Sequence, residues 1–204
     1  NVWAVKKWNA VSAEARFFVV KACLDGRSLP NGQEIPTFTF EIAGLSRAAF
    51  DQIARLRIGA VVGSMGVRDN NHSDAGFRIP ESMWVSPMLQ EVKESLRDAK
   101  DAYAAYLERG QGHWQDARAL MPMSMLHRFS LGINYAALRG FAGKRLMACE
   151  QADTVATAWL MRLRVQEKFP LLAAYLRPSC DALKRCSYHE GHTLSEAFGC
   201  LFRG

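Results

Sequence analysis

The chain has 204 residues, 49% of them hydrophobic and 23% charged, and a net charge of +6 at neutral pH. That balance is that of a soluble globular protein with one good core; apolar runs such as residues 17–20 are far too short to cross a bilayer as a helix. The basic balance favours anionic partners, and the absence of a long Lys/Arg block points to discrete phosphate contacts rather than a nucleic-acid stripe.

Residues 16–24 are rich in aromatic and β-branched side chains and read as a strand. Turn chemistry follows at Asp25-Gly26 and Pro30-Asn31-Gly32. A second strand is expected over 37–42, with Phe38, Phe40 and Ile42 alternating on one face and Gly44 ending it. Ser46 is a good N-cap for a helix running to about Arg57. Residues 59–75 then combine spaced glycines with the polar run Arg68-Asp69-Asn70-Asn71-His72-Ser73-Asp74, which predicts a long substrate-facing loop.

Further on, residues 87–109 have the composition of a solvent-facing helix with Gly110 as its C-cap. Residues 131–146 and 151–169 read as more apolar helices, the second stopped by Pro170. No repeat or low-complexity linker interrupts the chain. The expected architecture is one α+β domain over residues 1–204, a small antiparallel sheet with long helices, carrying a Cys/His-containing segment at 178–204.

The stretch Phe38-Thr39-Phe40-Glu41-Ile42-Ala43-Gly44-Leu45-Ser46-Arg47, followed by Gln52-Ile53-Ala54-Arg55-Leu56-Arg57, carries the chemistry. By spacing alone Arg55 and Arg57 point in different directions on a helix, and two solvated arginines are the plain reading. The order of strand, Gly-x-Ser-Arg turn, helix and Arg-Leu-Arg triplet, however, resembles the flavin-dependent thymidylate synthases. In that family the triplet is Arg-His-Arg and lies beside the flavin; here Leu56 stands in place of the histidine. The resemblance implies that Arg55, Arg57 and Asn134 bind the cofactor. It assigns Gln52, Ser64, Arg68, Arg118 and Arg145 to the nucleotide, and makes Arg55 and Arg145 the catalytic cations.

Further motifs carry it. Ala117-Arg118-Ala119-Leu120-Met121-Pro122 resembles the family's Ala-Arg-x-x-Leu-Pro segment. Asn134 opens an Asn-Ala-Arg-Ser-Leu-like motif in which Ala136 replaces the arginine, and Arg139, three residues on, is the nearest substitute. Gln151-Ala152-Asp153 is in register with a Gln-x-Glu segment. Gly63 falls where the family has Glu, while Ser64 and Arg68 each lie one residue from the nucleotide-binding positions. The likeness covers roughly residues 37–70 and 115–170.

The resemblance implies FAD as cofactor, with methylene-tetrahydrofolate and NADPH as co-substrates. The expected reaction is one-carbon transfer to C5 of a deoxypyrimidine monophosphate, dUMP or dCMP, giving a methyl or hydroxymethyl product. It also implies a homotetramer with shared active sites; a cytoplasmic location, without a nucleic-acid or membrane partner, is the default expectation from composition. The lost motif residues motivate an alternative, a non-catalytic nucleotide- or partner-binding relative; a basic nucleic-acid binder is the third reading.

Five cysteines make a disulfide framework an unexpected arrangement, and Cys23 and Cys149 read as buried thiols. Cys180, Cys186, His189, His192 and Cys200 have soft-ligand density but no tight Cys-x-x-Cys knuckle, so no metal is assigned.

Overall fold

The computed structural model describes residues 7–64, 66, 70–109 and 113–183. Its sheet is antiparallel, with β3 (Leu126–Asn134) at the centre, β1 (Thr37–Ser46) on one side and β2 (Ala60–Ser64) on the other. The helices that matter for the site are α1 (Ala13–Leu24), α2 (Arg47–Ile53), α3 (Leu89–Glu108), α4 (Tyr135–Arg145) and α5 (Ala152–Lys168). The molecule is therefore α+β, a small antiparallel sheet with long helices.

The sheet's inner face follows from period-2 side-chain alternation. Phe38, Phe40 and Ile42 lie opposite Ile133, Leu131 and Phe129, and Ala60 and Val62 complete the row from the other edge. This face packs on Leu138, Phe141 and Ala142 of α4 and on Ala158, Met161 and Val165 of α5. Leu131 and Ile133 are fully buried, each stabilising the fold by roughly 1.5–3 kcal/mol.

Several expectations change. Residues 16–24 form part of helix α1, not a strand: Ser12 accepts from the Ala15 N–H at 3.2 Å, Glu14 sits in the first turn and Lys21 in the last, pairing with Asp25. These end effects favour the helix over the β propensity of Phe17, Phe18 and Val19, which remain exposed. Gly44 does not end its strand. At φ +77° it forms a bulge between Ala43 and Leu45, and β1 continues to Ser46.

The third change is that residues 60–64, expected in a loop, form β2. The fourth is that residues 131–134 belong to β3, with the helix starting only after Asn134. Ser46 does cap α2, accepting from Ala49 N–H at 3.3 Å, but that helix ends at Ile53 and leaves Arg55 and Arg57 beyond it. Cys23 is half-buried and Cys149 exposed, so neither is a buried thiol; Cys180 is buried. Cys186, His189, His192 and Cys200 lie outside the described residues.

One buried histidine links the fold to pH. His127 is 5% exposed, stands 4.2 Å from the Phe50 ring centroid, and its Nε2 has no hydrogen-bond partner. Burial holds its pKa below the usual value, with Arg47 and His72 adding to the effect and Asp51 opposing it. Burial likewise lowers that of His72. The unfolded chain thus takes up a proton at about pH 6.5 that the folded chain refuses. The stability from a neutral His127 is complete above that pH and declines as pH falls from there toward the lower folded value. His127→Phe should therefore flatten the fall in melting temperature between about pH 7.5 and pH 5.5, measured by circular dichroism. An unchanged slope would remove His127 from the account.

Candidate functional site

Beyond α2 the chain turns through Arg55 to Gly59 and runs alongside α4, and the two walls border an open cavity of about 600 Å³. Gln52, Arg55, Leu56, Ile58 and Gly59 line one wall, and Asn134, Ala136, Ala137, Gly140, Phe141, Lys144 and Arg145 line the other; Glu34 also borders it. The α4 set falls at positions three, four and seven apart, the spacing of one helix face. Small residues at 136, 137 and 140 leave room on that face, and an added Cβ at Gly140 would meet no atom within 4 Å.

Asn134 is fixed twice. Its Oδ1 accepts from the Ala137 N–H at 2.9 Å, capping α4, and its backbone N–H donates to the Gly59 carbonyl at 2.8 Å. Gly59 has φ +71°, and a Cβ there would lie 2.7 Å from the Asn134 carboxamide. The glycine thus permits both the turn and the close approach.

At the other end, Arg145 Nη1 donates to Gln52 Oε1 at 3.0 Å and forms an ion pair with Glu150. Gln52 Nε2 donates to Gln151 Oε1 at 2.8 Å. Arg145 is 22% exposed and Glu150 13%, so this pair works where water screens it less than at the surface. Arg55 and Lys144 add two more cations to the cavity lining. Such a wall suits an anionic ligand whose planar polar edge meets Gln52 and Arg145.

Of the residues singled out by sequence, Gln52, Arg55, Asn134 and Arg145 come together here. Arg57 is exposed and does not line the cavity, and the same holds for Ser64 at the end of β2 and for Arg118 on a short 3-10 turn. Arg68 lies outside the described residues. Arg139 does not replace the missing arginine at Ala136. It donates to the Leu24 carbonyl at 2.8 Å and Gln33 Oε1 at 2.6 Å, and stands over the Tyr175 ring. Leu56, in the histidine position, packs against the hydrophobic core.

Sequence reading gave no role to Glu150 and no partner to Gln151. The adjacency of Glu150 to the Gln-x-Asp segment was the available signal. Asp153 of that segment faces elsewhere: it is buried and takes a 2.9 Å bond from Arg78 Nε beside a second cavity of about 390 Å³.

The family described as "Thymidylate synthase complementing protein" matches residues 19–171 of the chain. Among similar proteins, the flavin-dependent thymidylate synthase of Pyrococcus abyssi is 30% identical over 165 residues, 77% of this chain and 67% of that protein. That of Pyrococcus horikoshii is 33% identical over 165 residues, 77% of this chain and 68% of the relative. That of Pyrococcus furiosus is 31% identical over 132 residues, 63% and 54% respectively. The matched region thus spans from about half to about two thirds of the length of these relatives.

Proposed function

Because the chain belongs to the thymidylate synthase complementing protein family, we propose that it is a flavin-dependent thymidylate synthase, transferring one carbon to C5 of deoxyuridylate. The observation that carries this reading is the Gln52–Arg145 hydrogen bond on the wall of a cavity that Arg55 and Asn134 also line. Residues that the resemblance assigns separately to nucleotide and cofactor share one space.

The donor set fits a flavin nucleotide. Arg55 and Lys144 bring two positive charges to the lining and suit phosphates, and the small residues on α4 leave space for a flat ring. Asn134 has its Oδ1 committed to the α4 cap, so its Nδ2 is the group that faces a ligand as donor. Reduced flavin, when bound, supplies the two electrons that take the methylene carbon of methylene-tetrahydrofolate to a methyl group, with NADPH as the upstream reductant. Arg145 donates to a pyrimidine carbonyl and stabilises negative charge developing on the ring. Gln52 holds the base in plane with that donor.

Arg57, Ser64 and Arg118 stand exposed outside the cavity. A homotetramer that shares its active sites would let such residues serve a neighbour's cavity, and we include that assembly, and Arg68, in the proposal. The same reading takes residues 1–204 as a single domain working in the cytoplasm. No helix among the described residues is long and apolar enough to cross a membrane.

The test is direct. After incubation with FAD and desalting, the purified protein should keep a shifted flavin absorption band and, given methylene-tetrahydrofolate and NADPH, release tritium from deoxyuridylate labelled at C5. A folded but colourless protein that leaves the label in place would overturn the reading in favour of a non-catalytic relative.

A further inference from the structure

The Gln52 side chain is locked in one of its two orientations. Its Nε2 donates to Gln151 Oε1 at 2.8 Å and its Oε1 accepts from Arg145 Nη1 at 3.0 Å. A guanidinium has donors only. Turning the carboxamide over would therefore set its NH2 against Arg145 and its carbonyl oxygen against Gln151 Oε1. The Gln151 backbone is anchored at the N-cap of α5, where its carbonyl accepts from the Thr154 and Val155 N–H groups at 2.9 and 3.0 Å. Its side chain makes no capping bond and is left to hold Gln52.

Beyond these bonds Arg145 keeps further N–H donors, Gln52 Oε1 a second lone pair and Gln52 Nε2 a second N–H, so the spare capacity of these two lining residues runs donor, acceptor, donor. The ring edge of uracil carries O2, N3–H and O4, which is acceptor, donor, acceptor. Cytosine carries O2, N3 and its amino group, which is acceptor, acceptor, donor. The locked orientation matches uracil, and the inverted one would match cytosine. We infer that Gln151 is a positioning residue which, through Gln52, sets this pocket for a uracil rather than a cytosine nucleotide. The inference rests on reading the cavity as a pyrimidine nucleotide site.

Calorimetric titration of dUMP and dCMP into the unchanged protein and into Gln151→Met and Gln151→Glu tests it. The unchanged protein should favour dUMP by at least about tenfold, since two hydrogen bonds change sense between the bases. Gln151→Met, which removes the acceptor, should narrow that ratio several-fold; Gln151→Leu serves as a second acceptor-free variant should the first not fold. Gln151→Glu keeps the acceptor and should keep the ratio. A merely structural Gln151 would weaken both nucleotides alike and leave the ratio unmoved. An unchanged ratio in the acceptor-free variants, a lost ratio in Gln151→Glu, or a preference of the unchanged protein for dCMP overturns the inference alone. Binding of neither nucleotide by the unchanged protein overturns the reading of the cavity itself.

Discussion

Replacing Arg145 with alanine is expected to weaken deoxyuridylate binding on the order of a hundredfold or more, the usual consequence of truncating one member of a hydrogen-bonded, partly buried charge pair. Two contacts in the structure disappear together, the donor to Gln52 Oε1 and a partner of the Glu150 carboxylate, and with them the donor proposed for the base. Because Glu150 is only 13% exposed, the loss of its guanidinium also destabilises the fold, by about 1–3 kcal/mol. The two effects separate in the double variant Arg145→Ala/Glu150→Gln. Removing the carboxylate charge should restore much of the thermal stability and none of the affinity. Arg145→Lys keeps the charge but not the planar fork, and should fall between the two. Calorimetry on Arg145→Ala that shows affinity within about threefold of the unchanged protein would remove this residue from the binding site.

The site was legible in the sequence where one residue acts through its own chemistry, and illegible where it acts through a neighbour. Gln52, Arg55, Asn134 and Arg145 came from motif order, and the fold gathers them on one cavity. Gln151 acts on Gln52 across 99 positions, and no local pattern records such a contact; Glu150 stands only five residues from Arg145, where its place beside the Gln-x-Asp segment is a local signal. The fold shows the same division. Phe38, Phe40 and Ile42 gave β1 because alternation is a local signal, and α5 was recognised from its composition and the proline after it.

β3 was missed as a strand although His127, Phe129, Leu131 and Ile133 alternate as clearly as the β1 residues do. Helix-like residues follow immediately, and Asn134 is at once the last strand residue and the N-cap of α4. A junction without a loop has no composition change to mark it. In α1 the opposite occurred: β-prone Phe17, Phe18 and Val19 are helical because Ser12 and Lys21 settle the ends, while tertiary packing reaches little beyond Ala22 and Leu24.

Gly59→Ala should cost about 2–3 kcal/mol of stability, from two sources that a mutant cycle can part. At φ +71° a residue with a Cβ carries roughly 1–2 kcal/mol of backbone strain. In addition, the new Cβ would sit 2.7 Å from both Oδ1 and Nδ2 of Asn134, so that side chain must move. Moving it breaks the bond from Ala137 N–H to Oδ1 that caps α4, worth about 1 kcal/mol. In an Asn134→Ala background the cap is already gone and the obstruction with it. There the same glycine substitution should cost only the backbone part, and the cycle should show about 1 kcal/mol of coupling by chemical denaturation. Additive costs would mean that the Asn134 carboxamide yields freely, and that the close approach of the Arg55–Gly59 turn to α4 does not depend on glycine. Coupling, by contrast, ties the cavity's shape to its stability. Gly59 lets Asn134 cap α4 and face the cavity at once, so displacing that side chain should also reduce the flavin the protein keeps after desalting.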